Sequence, residues 1–176
     1  MADSETILGT NGFGSMFIGE SDHTVDAKCR VFMPKRFQDE LERDAEGNLF
    51  CMVTPGLDDC LYLFSLSGFQ RAIGRLDTAA FTASQMRDIQ RDFFPRVSKV
   101  KLDSSGRLLI PERLREKLAG AREVTMVGCM ERGEIWPTKT HEERRGRSNG
   151  LSTLDDILSG RTPGAPGEDG DDSHDS

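Results

Sequence analysis

Apolar and polar residues alternate in short runs along much of the chain, and this pattern predicts strands rather than long helices. In the clearest run, Val100 and Leu102 point to one face while Lys99 and Lys101 point to the other, which is typical of a half-buried strand. The next four residues, Asp-Ser-Ser-Gly from Asp103, predict a turn. The aspartate side chain can accept a backbone N–H two residues later, and glycine accepts a positive φ. The chain then returns as a second predicted strand over residues 107–110.

A short helix and two further strands complete this unit. A proline opens the predicted helix at residues 111–118, in which Leu114 and Leu118 lie four positions apart on one face. Strands are predicted for residues 123–129 and for residues 134–136. The unit is therefore mixed α+β and mainly β.

The same succession of elements occurs earlier in the chain, so the sequence contains an internal repeat. The shared motif is Asp-x-x-x-Arg with a proline four residues after the arginine. It begins at Asp26 in the first copy and 77 positions later, at Asp103, in the second. The first copy has predicted strands at 17–25, 30–33, 49–54 and 61–64 and a predicted helix at 34–41. Such a short unit buries little surface alone, so we expect the copies to pack as one body with a closed set of strands.

The segment between the copies and the C-terminal segment have different patterns. Residues 68–76 and 82–94 have helical spacing and predict two linker helices, the second of which is expected to end at Pro95. The pair Phe93-Phe94 is interpreted as core rather than as a platform for stacking bases. Residues 146–176 are rich in Gly, Ser, Pro and Asp and predict a disordered acidic tail.

One apolar patch interrupts the predicted tail. It consists of Leu151, Leu154, Ile157 and Leu158, with Ser152 or Thr153 as candidate caps. The patch is open to two interpretations, either a frayed segment or a docking helix for a partner.

Charge is distributed unevenly over a chain whose formal net charge is −7. Residues 96–145 carry a net charge of +4, whereas the predicted tail carries −5. Between Ala27 and Gln38 there are four cations and no acidic residue, namely Lys28, Arg30, Lys35 and Arg36. Local potential matters more than total charge at the scale of the Debye length, so an acidic chain with such a segment can still bind nucleic acid.

Several classes of protein are disfavoured by what the sequence lacks. No apolar stretch reaches 18 residues and the N-terminus has no basic n-region, so we expect neither a membrane span nor a secretory signal but a cytoplasmic chain. The four cysteines form no Cys-x-x-Cys pair and are expected to be free thiols, with no metal and no cofactor. No oxyanion loop or phosphate-cradling glycine run accompanies His23, Cys29 or the Asp58-Asp59 pair, so no enzymatic activity is predicted.

The doubled motif resembles the MraZ family of bacterial transcriptional regulators, within the AbrB/MazE-like superfamily. The first copy, Asp-Ala-Lys-Cys-Arg-Val-Phe-Met-Pro-Lys-Arg-Phe from Asp26, is similar to the opening segment of that family. The second copy, Leu-Asp-Ser-Ser-Gly-Arg-Leu-Leu-Ile-Pro from Leu102, is similar to the second half, and the resemblance runs from Met16 to Glu143.

The resemblance implies two tandem SpoVT-AbrB units in a swapped-hairpin, pseudo-symmetric β body. It also implies ring-shaped homo-oligomers that bind short direct repeats in double-stranded DNA, located at the nucleoid, and that repress the division and cell-wall gene cluster and their own promoter. No membrane and no small-molecule substrate is implied. The expected domains are an extension at 1–15, SpoVT-AbrB units at 20–66 and 96–143, a helical linker at 67–95 and the tail at 146–176.

The resemblance also implies site residues. Arg30 and Arg107 are the signature arginines of the motif. We favour Arg30 and Lys28 for direct contact with DNA, and Arg107, Lys35 and Arg36 are further candidates. Asp26, Asp103 and Gly106 are expected to brace the motif rather than to contact DNA, because a carboxylate repels phosphate. The alternative for the two arginines is that they pair with these aspartates and brace the turns instead of contacting DNA.

The sequence leaves two points open, the shape of the first turn and a second possible function. Cys29 stands where the second copy, like the family, has glycine, so the first turn is expected to be reshaped if it would otherwise require a positive φ. The other function considered is an antitoxin-type module that binds a protein partner through its C-terminal segment.

Overall fold

The computed structural model of the chain describes residues 16–76 and 84–162. The predicted extension at 1–15, the middle of the predicted linker and the end of the predicted tail lie outside the described residues. The chain forms two compact units, the first ending at His141 and the second beginning at Glu142, and each is described by itself.

Both copies of the repeat have the same order of elements, with an α-helix in the first copy where the second has a 3-10 helix. The first copy contains β1 (Glu20–Thr24), β2 (Arg30–Phe32), α1 (Lys35–Gln38), β3 (Phe50–Pro55) and β4 (Leu61–Phe64). The second copy contains β5 (Ser98–Lys101), β6 (Arg107–Leu109), a 3-10 helix (Glu112–Leu118), β7 (Glu123–Gly128) and β8 (Gly133–Pro137). The fold class predicted from the sequence is confirmed.

Two local predictions are corrected by the backbone. Pro34 and Pro111 precede their helices in an extended conformation, with ψ of 140° and 135°, instead of lying in the first helical turn. The strand predicted from residue 17 begins at Glu20, because Gly19 takes a φ of 85° and interrupts the extended backbone. Phe17 still forms an isolated bridge with Met130.

The two copies exchange strands. Every named strand pair except β3–β4 and β7–β8 joins one copy to the other, since β1 pairs with β7, β3 with β5, β4 with β8 and β2 with β6. The six-stranded sheet has the order β1-β7-β8-β4-β3-β5, and replacing each strand by its counterpart in the other copy simply reverses that order. The body is therefore pseudo-twofold symmetric, as predicted.

The expectation of a closed set of strands is wrong. β1 and β5 are the outer strands of an open sheet, and β2 and β6 form a separate two-stranded ladder. Both outer strands are short and carry polar or charged residues on their exposed face, such as Asp22 on β1 and Lys99 on β5. Short, charged edges limit further strand pairing without closure.

The core contains matching residues from both copies. Val31, Phe37 and Leu61 of the first copy are fully buried, as are Leu108 and Ile135 of the second. All belong to one hydrophobic cluster. The single shared core confirms that the copies fold as one body, because neither copy alone has enough apolar surface to enclose one.

The linker forms α2 (Leu66–Gly74), α3 (Ser84–Asp92) and a 3-10 turn (Phe94–Arg96). The helix α3 ends at Asp92, three residues earlier than the predicted end at Pro95, and Pro95 lies inside the 3-10 turn that follows. The interpretation of Phe93-Phe94 as core is also wrong, since both residues are half-buried and neither belongs to the core cluster; their ring centroids lie 5.5 Å apart.

The C-terminal unit contains more helix than its composition predicts. Helix α4 (Thr138–Arg145) leads into it, and α5 (Gly150–Leu158) occupies the part of the predicted tail that was open to a frayed or a helical interpretation. Asn149 lies at the N-cap position, and the candidate caps Ser152 and Thr153 lie within the helix. Arg161 stabilises its C-terminal end through ion pairs with Asp155 and Asp156 at 2.6 Å and 2.9 Å.

Candidate functional site

The two motif turns have the same hydrogen bonds. In the first, the Oδ1 atom of Asp26 accepts the backbone N–H groups of Lys28 and Arg30, both at 2.9 Å. The N–H of Asp26 donates to the carbonyl of Arg30 at 2.8 Å, and the N–H of Cys29 donates to the carbonyl of Asp26 at 2.9 Å. Asp26 therefore determines the shape of the turn between β1 and β2.

The second turn repeats this arrangement 77 positions later. The Oδ1 atom of Asp103 accepts the N–H groups of Ser105 at 2.9 Å and of Arg107 at 3.0 Å. The N–H of Gly106 donates to the carbonyl of Asp103 at 2.9 Å. The position of the exposed Lys28 is taken by a serine here, so the two turns share a backbone but differ in charge.

The four charged side chains of the turns meet in what we call the charge cluster: Asp26, Arg30, Asp103 and Arg107. Each arginine donates its Nε–H to the Oδ2 atom of its own aspartate at 2.8 Å. Each also reaches across to the other copy, with 3.7 Å from Arg30 Nη1 to Asp103 Oδ2 and 3.9 Å from Arg107 Nη1 to Asp26 Oδ2. The structure thus brings both signature arginines together and connects the two copies through them.

The pKa values of both cluster carboxyls are lowered from their ordinary value of 3.8. For Asp26 the largest cause is the side-chain hydrogen bond from Arg30, and for Asp103 it is the backbone N–H of Arg107. Both causes favour the ionised carboxylate.

Acid is expected to weaken the folded state through this cluster. Because the folded pKa values of Asp26 and Asp103 are depressed, their contribution to stability is complete above 3.8 and is lost as the pH falls through the lower folded values. Urea unfolding between about pH 7 and about pH 2 should show this decline. The double variant Asp26→Asn, Asp103→Asn should have a shallower decline, and an unchanged decline would contradict the assignment.

Cys29 keeps the turn that glycine makes in the other copy. Its φ is 59° and that of Gly106 is 73°, so both lie in the left-handed region, and the expectation of a reshaped first turn is wrong. A Cβ atom at Gly106 would lie 2.5 Å from the Nε2 atom of Gln38, which donates to the carbonyl of Met33 at 2.7 Å. Asp26 and its backbone bonds hold Cys29 in this strained conformation.

Adding a glycine at position 29 and removing the glycine at position 106 should change the free energy of unfolding in opposite directions. Cys29→Gly removes a left-handed strain of about 1–2 kcal/mol, reduced by about 0.4–1 kcal/mol for the greater freedom of glycine in the unfolded chain. We expect a net gain of about 0.5–1 kcal/mol in the free energy of unfolding. Gly106→Ala should lose about 1 kcal/mol, because the left-handed strain of about 1–2 kcal/mol and the crowding of the added Cβ against Gln38 exceed the gain of about 0.4–1 kcal/mol from a less flexible unfolded chain. Denaturant unfolding of both variants measures the two changes. A stability loss in Cys29→Gly would show that the thiol packing outweighs the strain.

We call the β2–β6 ladder the ribbon. Val31 and Leu108, at its centre, are fully buried beneath it. The alternate residues lie on its outer face, which carries Arg30, Phe32, Arg107 and Leu109. The side chains of Phe32 and Leu109 are 46% and 47% exposed. The sequence does not single out Phe32 and Leu109, because the neighbouring residues in both strands are also apolar and their pattern does not distinguish the outer face from the inner face.

The remaining predicted cations lie beside the ribbon. Lys28 is exposed in the first turn. Lys35 pairs with Asp39 at 2.8 Å on the surface of α1. The exposed Arg36 donates to the carbonyl of Ile18 at 3.1 Å and to the hydroxyl of Ser21 at 2.9 Å, so it connects α1 to the start of β1.

The described residues offer no other obvious chemistry. Within 16–76 and 84–162, no group of three or more His, Cys, Asp or Glu side chains is placed to hold a metal ion. Over the same residues, no helix combines the length and the apolarity that crossing a bilayer requires.

The exchanged strands and the paired Asp-x-x-x-Arg turns define a class of proteins built from two tandem copies of one unit that fold together. The family model described as "MraZ protein, putative antitoxin-like" matches residues 16–92 and again residues 93–154. The chain therefore belongs to the MraZ family.

Curated relatives agree with this assignment. A protein named "Transcriptional regulator MraZ" from Acetivibrio thermocellus is 37% identical over 134 residues, which are 76% of this chain and 90% of the relative. Proteins of the same name are 35% identical over 145 residues in Finegoldia magna (82% of this chain, 96% of the relative) and 40% identical over 121 residues in Carboxydothermus hydrogenoformans (69% and 80%).

Proposed function

We propose that the chain is a sequence-specific DNA-binding transcriptional regulator. It acts as a repressor of the division and cell-wall gene cluster and of its own promoter, at the nucleoid. The relatives named above carry the name of a regulator, not of an enzyme. We propose no catalytic activity, cofactor or small-molecule substrate. The observation that carries the proposal is the outer face of the ribbon, where each signature arginine reaches the aspartate of the other copy across the pseudo-twofold axis.

Arg30 can contact DNA while it remains bonded to Asp26. A guanidinium has five N–H donors, and the bonds to Asp26 engage Nε and Nη2. The Nη1 atom faces Asp103 at 3.7 Å, a distance at which charges attract without a hydrogen bond. The aspartates thus hold the arginine planes in one orientation, and the Nη1 groups of Arg30 and Arg107 are the donors proposed for guanine or phosphate.

Lys28 is the proposed phosphate contact of the first turn. It is exposed, and it lies in the segment of four cations without an acid. Lys35 and Arg36 of α1 are further proposed phosphate contacts, although Lys35 shares its charge with Asp39 at 2.8 Å. The carboxylates of the charge cluster repel phosphate, so the proposed role of Asp26 and Asp103 is to brace the turns, with Gly106 providing the left-handed position in the second turn.

A ring of identical subunits would convert weak contacts into firm binding. One ribbon is small and provides few phosphate contacts, so a single subunit should bind weakly. A homo-oligomeric ring presents several ribbons at fixed spacing, and linked engagement multiplies affinity through effective concentration. This arrangement fits short direct repeats in the DNA better than one long site.

A second candidate function rests on α5. Leu151 and Leu158 are 86% and 77% exposed on this helix, which is what a protein-binding segment of an antitoxin-type module would present. Co-purification of a basic protein that is lost in a Leu151→Ser, Leu158→Ser variant would favour this function over the first.

Salt-titrated binding tests the main proposal. The probe is a duplex fragment from upstream of the gene that encodes the chain, with a shuffled fragment of equal composition as control. We expect tighter binding of the upstream fragment and a linear fall of log affinity with log salt, with a slope of about −0.9 for each phosphate neutralised. Light scattering of the same preparation gives the assembled mass. Failure to bind the upstream fragment at low salt would contradict the proposal.

A further inference from the structure

Two large apolar side chains occupy a surface that is otherwise charged. Phe32 and Leu109 lie on the outer face of the ribbon, and about half of each side chain is exposed. They occupy equivalent positions in the two copies, 77 residues apart. Exposing them in both copies is costly, because apolar area gains free energy when it leaves water. A partner that covers both at once would recover that cost.

The register of the ribbon places each apolar side chain directly beside an arginine. Phe32 lies opposite Arg107, and Leu109 lies opposite Arg30. Directly opposed side chains in an antiparallel pair are close neighbours. The outer face is therefore two equivalent Arg-plus-apolar pairs, related by the pseudo-twofold axis.

The neighbours of these pairs favour an anionic partner. The exposed Lys28 flanks the face from the first turn and adds positive charge beside it. The carboxylates in the vicinity, Asp26 and Asp103, are already bonded to the arginines. A partner with negative charge at its rim and small apolar groups in its interior matches this arrangement.

Duplex DNA has this chemistry in its major groove. The groove accommodates a two-stranded β-ribbon, its rims are phosphates, and the C5-methyl group of thymine is its one apolar feature. Arginine pairs with guanine at the same depth. We infer that Phe32 and Leu109 contact thymine methyl groups, so that each Arg-plus-apolar pair reads a guanine and a neighbouring thymine. This inference rests on the proposed function and adds the base that the apolar residues recognise.

Replacing thymine by uracil tests the inference, because the two bases differ only in the methyl group. The upstream fragment is amplified once with thymidine triphosphate and once with deoxyuridine triphosphate, and both duplexes are titrated with the full chain. We expect the wild type to prefer the thymine duplex by about fourfold for each methyl group that it buries. The variants Phe32→Ala and Leu109→Ala should each reduce that preference.

Leu57→Ala is the matched control, since Leu57 is 93% exposed in the loop between β3 and β4. It should keep the full preference for thymine. Equal wild-type affinity for both duplexes would overturn the inference and leave the proposed function intact, and so would a preference that persists in Phe32→Ala and Leu109→Ala. A change in assembled mass in these variants would instead assign the face to a second copy of the chain. Failure of the wild type to bind either duplex would overturn the proposed function itself.

Discussion

Replacing Arg30 with alanine is expected to reduce affinity for the upstream fragment by about 10- to 100-fold, the equivalent of about 1–3 kcal/mol for each lost arginine contact. The loss should not depend on unfolding. The turn of Asp26 is held chiefly by backbone N–H groups that the substitution leaves in place. Asp26 also keeps Arg107 as a cationic neighbour, at 3.9 Å. We therefore expect the variant to retain the assembled mass of the wild type.

Two further variants separate a DNA contact from a brace. Arg75→Ala is the matched control: Arg75 follows the linker helix α2 and forms an exposed ion pair with Glu131, so its removal should leave affinity unchanged. Arg30→Lys keeps the charge but loses the planar fork, and it should restore less than half of the lost binding free energy. Equal affinity of Arg30→Ala and the wild type would remove Arg30 from the interface. A loss of thermal stability in step with affinity would assign it to the brace alone.

Phe37→Ala is expected to destabilise the fold by about 3–5 kcal/mol. Phe37 is fully buried, and its ring stands edge-on to that of Phe17 with centroids 5.2 Å apart. It also packs against Gly133, where an added Cβ atom would lie 3.0 Å from the ring. The side chain of a first-copy helix therefore fills space over a second-copy strand. A loss of this size is a large part of the total stability of a small domain.

The number of transitions in the unfolding curve also tests the shared core, because two copies that share one core should unfold together. Because the copies exchange strands, Phe37→Ala should shift one cooperative transition to lower denaturant, with fluorescence of Trp136 in the second copy and far-UV circular dichroism changing together. Phe94→Ala is the matched control, since this half-buried ring lies outside the core cluster, and it should cost about 1 kcal/mol or less. Two separate transitions, with Trp136 unaffected by Phe37→Ala, would contradict the single body.

The order of elements could be predicted because it depends on local rules. Val100 and Leu102 alternate with lysines, and this pattern predicts a strand. The turn that begins at Asp103 depends only on hydrogen bonds from its side chain to backbone N–H groups at most four residues later. Because the motif recurs 77 positions later, the elements predicted for one copy also predict those of the other. Candidate site residues followed from the motif and the resemblance, since Asp26, Arg30, Asp103 and Arg107 stand at its repeated positions.

Errors arose where several local conformations have similar energy. The aromatic pair Phe93-Phe94 is apolar enough for the core, yet it follows a linker helix and stays half-buried outside the core cluster. Cys29 has a side chain that disfavours a positive φ by only about 1–2 kcal/mol. The hydrogen bonds around Asp26 outweigh that cost, which no propensity of cysteine alone could indicate.

The sequence by itself determined the repeat, the succession of strands, turns and short helices within each copy, and the family, because these depend on residues near one another in the chain. Only the tertiary structure decided which strands pair between copies, that each arginine of the charge cluster reaches the aspartate of the other copy, and that Phe32 and Leu109 face outward. Those features depend on register between segments that are distant in the chain, where a shift of one residue reverses which side chains are buried. Packing of the shared core selects that register.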